Sequence, residues 1–94
     1  MIIIDRLIWD SWNVAHIARH EVIPVEVEEV CQGEPKVEEG YKGRLQLVGT
    51  TNAERILAVI LEPVEPGLYY PITARDASRK ERQRYRLWKG GVAA

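Results

Sequence analysis

The chain has 94 residues, of which 46% are hydrophobic and 29% are charged, and its net charge is −1. This composition predicts one globular domain over 1–94 and argues against a simple cationic coat for nucleic acid. The single cysteine, Cys31, excludes an intramolecular disulfide, and its acidic neighbours favour a half-buried thiol over a catalytic one. No secretory signal is recognisable and no apolar run reaches the roughly 20 residues of a membrane span, so we expect a cytoplasmic protein.

The first predicted element is a strand over 2–9, where β-branched and apolar residues dominate. A helix follows over 11–20, with a rough apolar stripe and with Asp10 or Ser11 as its N-terminal cap. Either side chain carries an oxygen that can accept a hydrogen bond from a free backbone N–H of the first turn.

Segment 23–32 fits two structures. Part of it alternates as in a strand, but Pro24 suits the first turn of a helix, where its missing N–H costs nothing. We favour the helix, and we expect Gly33 to end it in a left-handed conformation.

After Gly40 the pattern favours strands. Apolar residues, alternating or continuous, predict three of them, over 44–49, 55–61 and 68–73. The continuous run of 55–61 fits a central strand covered on both faces, although its length alone also fits a core helix. Residues 52–54 look like a turn, and 62–67 form a loop, because two prolines and a glycine oppose regular pairing. Pro71 places the last strand at an edge or at a bulge.

The last predicted element is a helix over 78–89. Ser78 and Glu81 form a capping box that satisfies backbone donors of the first turn, and Gly90-Gly91 ends the helix. A basic stripe follows one side of it, formed by Arg79, Arg82, Arg86 and Lys89. The order β-α-α-β-β-β-α predicts an α+β fold, in which an antiparallel β-sheet is packed with helices on one face.

Charge is unevenly distributed along the chain. Residues 21–40 hold seven acidic residues and one basic residue, whereas residues 75–89 hold seven basic residues and two acidic ones. A basic segment of this density can contact phosphates or an acidic partner. It can equally be a solvated helix face that folds back toward the acidic segment, and the sequence leaves both alternatives open.

Motifs follow one another in a recognisable order along residues 8–86, almost the whole chain. They are Trp9-Asp10, then Arg19-His20-Glu21-Val22 with the helix-like segment 24–30, then the run 41–49, and finally 72–85, which joins an apolar pair, Ala-Arg and a basic helix. This order resembles the BrnT family of ribonuclease toxins, and the last motif is its most specific part. Two positions depart from the family's usual pattern, since Glu21 replaces a common glycine and Gly43 replaces a common glutamate.

The resemblance implies a RelE-like ribonuclease fold with a helix over 23–32. It also implies metal-independent RNA cleavage that inhibits translation, within a type II toxin–antitoxin system. The implied partners are an RNA substrate and a cognate DNA-binding antitoxin protein. No interaction with a membrane is expected. No cofactor is expected, because the sequence has no glycine-rich phosphate loop, and His16 and His20 lack the further ligands of a metal motif.

RNA cleavage without a metal needs a base for the 2′-hydroxyl proton, an acid for the leaving 5′-oxygen, and cations that stabilise the dianionic phosphorane. Arg75 is the first candidate cation, because it lies between the last strand and the last helix and because arginine meets phosphate oxygens bidentately. Arg44, at the start of the middle strand, is the second. Each has a structural alternative. Arg75 can instead form a salt bridge that holds the last helix, and Arg44 can be a charge at the edge of the sheet.

The candidates for proton transfer are His20, Lys42 and Glu81. Histidine can act as acid or base near neutral pH, although at a helix C-terminus it can instead bond the last carbonyls. Lys42 can orient a phosphate or move a proton, or it is a solvated loop residue. Glu81 can act as a base, but its capping role already explains it.

The candidates for RNA contact are Arg79, Arg82, Arg86 and Tyr85, although Tyr85 also fits the core. Two other functions remain open on the sequence. One is a catalytically inactive module of the same fold that pairs with an antitoxin-like protein. The other is a direct nucleic-acid binder, whose affinity would fall steeply with salt because the basic helix contacts phosphates.

Overall fold

The structure, a computed structural model, describes residues 2–90. Its elements in chain order are β1 (Arg6–Leu7), α1 (Ser11–Ala18), α2 (Pro24–Gln32), β2 (Lys36–Glu39), β3 (Leu45–Thr50), β4 (Ile56–Glu65), β5 (Leu68–Asp76) and α3 (Arg79–Lys89). A short 3-10 turn, Tyr41–Gly43, joins β2 to β3. Among residues 2–90, no helix has the length and apolar content that crossing a membrane requires.

The five strands form one sheet in the order β1-β5-β4-β3-β2. Strands β2 to β5 form an antiparallel meander, whereas β1 pairs in parallel with β5. The predicted α+β class and meander are confirmed. The structure adds β2, which the hydrophobic pattern does not signal because Val37 is its one apolar residue. It also shortens the first strand from 2–9 to two residues, since the chain passes only Leu68 and Tyr69 of β5 before it turns into α1.

Helices cover both faces of the sheet. On one face, α1 and α2 enclose the main core, which includes Ile17, Val27, Val30, Leu47, Leu57 and Val59. On the other face, Tyr85 of α3 and Ala77 just before it pack against Val48 and Ala58. Alternate residues of β3 and β4 thus serve opposite faces, which explains the continuous apolar run predicted as a central strand. The expectation of helices on one face holds for α1 and α2 but not for α3, because the second apolar face also needs a cover.

The predicted start of α1 is confirmed at Asp10. Its Oδ1 accepts from the Asn13 amide at 2.9 Å, and Asn13 Oδ1 accepts from the Asp10 amide at 2.9 Å. Asn13 is fully buried, and its Nδ2 donates to the carbonyls of Ile8 and Pro71. One side chain therefore caps the helix and fixes it to β5.

The ambiguous segment 23–32 is a helix with Pro24 in its first turn, as favoured. Gly33 follows it with φ −85°, so the predicted left-handed conformation is wrong. The Gly33 amide still donates to Glu29 O at 3.0 Å, which closes the last turn. The chain then runs on to Pro35 and β2 without the reversal that a left-handed residue produces.

A glycine lets α2 lie close to the sheet. A Cβ added at Gly49 would lie 2.9 Å from Cγ1 of Val30 and 3.0 Å from Cβ of Pro35. Real Cβ atoms do not approach so closely, so a side chain at this position would push α2 and the chain that follows it away from β3.

The predicted loop over 62–67 is wrong in its first part, because β4 continues to Glu65. β3 pairs with β4 no farther than Leu61. Beyond that point β4 has an open side within the described sheet, so the missing N–H of Pro63 is tolerated there.

Pro71 lies at a bulge, one of the two predicted settings. Ile60 pairs with Thr73, but the next residue, Leu61, pairs with Pro71. Ile72 is therefore the extra residue, and the irregular pairing accommodates a residue without an N–H.

Candidate active site

Arg75, the leading candidate from the sequence, lies near the end of β5, where the chain turns into α3. Its Nη1 donates to Glu81 Oε1 at 2.7 Å and to the Asp76 carbonyl at 3.1 Å, and its Nη2 donates to Glu81 Oε2 at 3.0 Å. The hydrogen bonds that Arg75 donates to Glu81 raise the pKa of the guanidinium above its usual range. Within residues 2–90, Nε–H and one N–H of Nη2 have no partner, and the side chain is 41% exposed. Two donors therefore remain for a ligand on a side chain held rigidly from behind.

Glu81 is saturated by donors. Its carboxylate accepts both bonds from Arg75, one from the Ser78 amide at 2.8 Å and one from Gln46 Nε2 at 3.2 Å. The bonds from Arg75 are the main cause that lowers the pKa of Glu81 to about 2. A carboxylate of this kind is a weak base, so its geometry suits positioning of Arg75 better than proton transfer.

His20 lies just after α1, and its side chain is exposed. With Arg19, Glu21, Arg75 and Asp76 it lines one shallow depression. Two candidates far apart in the sequence, His20 and Arg75, therefore face the same hollow. Among the described residues, no group of three His, Cys, Asp or Glu side chains is placed to hold a metal ion.

Arg55, which no sequence pattern singles out, holds the two sides of this depression together. Its guanidinium donates to the carbonyls of His20 and Glu21 at 3.1 and 2.6 Å. It also donates to Asp76 Oδ1 at 2.8 Å and to Glu26 Oε1 at 3.1 Å. These carboxylates raise its pKa, Asp76 first. The end of α1, the start of α2 and the end of β5 are thus fixed to one cation.

Arg44 and Lys42 lie elsewhere. Arg75 pairs with Ala58, which pairs with Val48, so Arg44 shares the α3 face with Arg75 but is four residues farther along β3. This spacing corresponds to about 13 Å. Arg44 Nε donates to Glu62 at 2.6 Å.

Lys42 lies in the exposed 3-10 turn with φ 56°, and its Nζ is 5.3 Å from the centroid of the Tyr41 ring. The neighbouring Gly43 also has a positive φ, of 79°. Glycine adopts this conformation at no steric cost, so Gly43 fits the turn without strain.

The four cations of the basic stripe on α3 differ in their exposure and in their hydrogen-bond partners. Arg79 and Arg86 are exposed, Arg82 donates to the Ala77 carbonyl at 2.7 Å, and Lys89 pairs with Glu34 at 3.0 Å. Tyr85 is 5% exposed, and its hydroxyl bonds Thr50 Oγ1 at 2.9 Å. The structure places Tyr85 in the second core, away from any surface that a base could reach. These contacts agree with a solvated helix face that folds back toward the acidic segment, whereas contact with phosphates or an acidic partner stays a prediction.

Cys31 is half-buried, as expected. Burial, with a smaller contribution from Glu28, raises the pKa of its thiol to about 12. A thiol of this kind stays protonated and is a poor nucleophile.

Comparison with solved structures finds a similar fold in a ribonuclease toxin. The chain is similar to the crystal structure of the Brucella abortus ribonuclease toxin BrnT, with a TM-score of 0.61 and 29% identity, over 84% of this chain and 100% of that one. No family model matches the sequence, and no curated protein matches it. The fold is therefore BrnT-like, and the resemblance read from the sequence motifs is confirmed.

Proposed function

We propose that this chain is a metal-independent endoribonuclease toxin whose cleavage centre is the depression between His20 and Arg75. The observation that carries the proposal is the geometry of Arg75, which Glu81 fixes bidentately while two of its N–H groups stay free. The similarity to the Brucella abortus ribonuclease toxin supports the same reading.

The proposed chemistry is cleavage by the RNA's own 2′-hydroxyl. His20 takes the proton of that hydroxyl, and the 2′-oxygen forms a bond to phosphorus. The bond from phosphorus to the 5′-oxygen breaks, and a proton from water completes the 5′-hydroxyl. The free N–H groups of Arg75 donate to the non-bridging oxygens, where negative charge develops. The products are a 2′,3′-cyclic phosphate and a 5′-hydroxyl end.

Positioning residues complete the centre. Glu81 holds the Arg75 guanidinium, and Arg55 holds the backbone on both sides of the depression. Arg79 and Arg86 are exposed on α3, beyond Arg75, and are placed to neutralise flanking phosphates of the RNA. Lys42 and Arg44 lie too far along the sheet to reach the same phosphate and are assigned to RNA contact at most.

A cognate antitoxin is the proposed protein partner, and the cytoplasm is the proposed location. A nuclease of cellular RNA must be silenced in the cell that makes it, and the exposed arginines of α3 offer a cationic surface for an acidic partner. Binding of that partner over Arg75 and α3 would exclude RNA.

A second function is favoured by one observation. Both candidate phosphate-binding arginines are already paired with carboxylates, Arg75 with Glu81 and Arg44 with Glu62. This pairing reduces the positive potential offered to RNA, as expected of a module that binds a protein partner and has lost cleavage.

Cleavage by the purified chain separates the two functions. Two assays are needed: cleavage of a random-sequence RNA 20-mer in EDTA, and cleavage of an mRNA during cell-free translation. We expect the wild type, freed of partner, to cut RNA in at least one of them. A DNA 20-mer should stay intact, because DNA lacks the 2′-hydroxyl. Arg75→Ala should lower the rate by roughly 100- to 1,000-fold. The matched control is Lys80→Ala, which removes an exposed cation of the same helix and should leave the rate unchanged.

Each result has a definite meaning. An unchanged rate in folded Arg75→Ala would remove this depression as the centre. Intact RNA in both assays, together with retained binding of an antitoxin-like protein, would establish the binding module instead.

A further inference from the structure

The exposed side of α1 carries an aromatic ladder that the cleavage chemistry does not use. The rings of Trp12 and His16 stack in parallel, with centroids 4.9 Å apart and planes at 6°. The His16 and His20 rings meet edge to face, with centroids 6.3 Å apart. These residues recur at every fourth position, so the ladder runs along one line of the helix and ends at the proposed cleavage centre.

Trp12 is placed as a platform. Its side chain is 57% exposed, although a tryptophan of this size is usually covered. His16 covers one face of the indole, and among residues 2–90 no other ring stacks on it. Ser11 and Ala15 beside it are small, so together with Arg19 they form a shallow hollow next to the ring.

The surroundings of the ladder favour a nucleic acid over a protein. Arg19 lines both this hollow and the depression of His20 and Arg75, so the two adjoin at this residue. Arg19 forms no ion pair within residues 2–90 and is exposed. An aromatic platform flanked by a free guanidinium matches a strand that alternates flat bases with phosphates.

We propose that the Trp12–His16–His20 ladder is a track for a single-stranded RNA, in which one base stacks on the free face of Trp12 and the scissile phosphate lies at Arg75. This inference rests on the proposed function and adds the path and class of substrate. The Trp12 and His20 rings are at most about 11 Å apart, the 4.9 and 6.3 Å centroid separations taken together, and successive stacked nucleotides are about 3.4 Å apart. The strand therefore places about three nucleotides between a base stacked on the free face of Trp12 and the cleaved bond, and stacking of that base needs no sequence preference.

The test is binding of a 2′-O-methyl RNA 8-mer, which cannot be cleaved, measured by fluorescence anisotropy over a range of salt. Trp12→Ala should weaken binding roughly 5- to 100-fold and leave the salt slope unchanged, because a base contact neutralises no phosphate. Trp12→Phe should retain most of the affinity. Trp88→Ala is the control, since Trp88 is also exposed but stacks on Tyr85 at the far end of α3.

The outcomes of this experiment distinguish failure of the RNA track from failure of the proposed RNA-directed function. Wild-type affinity in Trp12→Ala, with weakened binding and a reduced salt slope in Arg75→Ala, overturns the track alone. Absence of binding by the wild type overturns both the track and the RNA-directed function. A change of oligomeric state in Trp12→Ala with unaltered RNA affinity also overturns the track, and assigns the ladder to contact between two copies of the chain.

Discussion

Glu21, next to His20, occupies a backbone conformation that favours glycine. Its φ is 58°. The Glu21 amide donates to Ala18 O at 2.9 Å and the Val22 amide to Ile17 O at 3.2 Å, which is the Schellman arrangement that ends many helices. A non-glycine residue in this left-handed conformation strains the backbone, although the turn itself is kept.

Replacing Glu21 by glycine should therefore stabilise the protein. We expect Glu21→Gly to raise the free energy of unfolding by about 1 kcal/mol, measured by urea denaturation. Glu21→Ala removes the carboxylate but keeps the Cβ, so it should change stability little. Equal stability of the two variants would show that charge, not the left-handed conformation, governs this position.

At the scale of elements, the start of α3 is held by one carboxylate. Glu81 closes the capping box with Ser78, bonds Gln46 on β3 and grips Arg75 on β5. These bonds require the ionised form, and the pKa of about 2 shows how strongly the folded state favours it.

Acid should loosen this junction. Because the folded pKa of Glu81, about 2, lies below the ordinary value of 4.5, its contribution is complete above pH 4.5 and is lost as pH falls from 4.5 toward 2. The difference in unfolding free energy between wild type and Glu81→Gln should shrink by about 2 kcal/mol between pH 5 and pH 2.5, less than the full shift implies because Arg75 is partly solvated. Other carboxylates titrate in both proteins and cancel. A difference independent of pH would contradict the ionic role.

Elements governed by local contacts were predictable from the sequence. The caps at Asp10 and Ser78 use side chains three residues from their partners, and Pro24 marks the start of α2 by its own geometry. Elements governed by distant pairing were not. β2 is an acid-rich edge strand that β3 holds through its backbone, and β4 passes through Pro63 because its neighbour on one side has ended.

At the scale of the whole molecule, the site also combines features that local sequence predicts with features that only distant contacts create. Arg75 and His20 could be selected by chemistry and motif, yet nothing in the sequence showed that they share a depression. Arg55 joins the two sides through carbonyls 34 and 35 residues away, and Asn13 bonds a carbonyl 58 residues away. Contacts between residues so far apart in the sequence arise only in the packed fold, and no local sequence pattern predicts them.

The contact between the two oppositely charged segments, like the cover on both faces of the sheet, is also a property of the whole molecule. Lys89 pairs with Glu34, while Arg79 and Arg86 stay solvated on α3. The molecule therefore keeps a basic surface beside Arg75 despite a net charge of −1. A local surface of this kind steers a polyanion more than the net charge does.

The central claim is that His20 and Arg75 form one cleavage centre, and a double-variant comparison tests it most directly. Single-turnover RNA cleavage would be measured for wild type, His20→Ala, Arg75→Ala and the double variant, each shown to be folded. Residues that act in one transition state are not independent, so the double variant should lose far less than the product of the two single losses. Losses that multiply, or a wild-type rate in either single variant, would contradict the assignment.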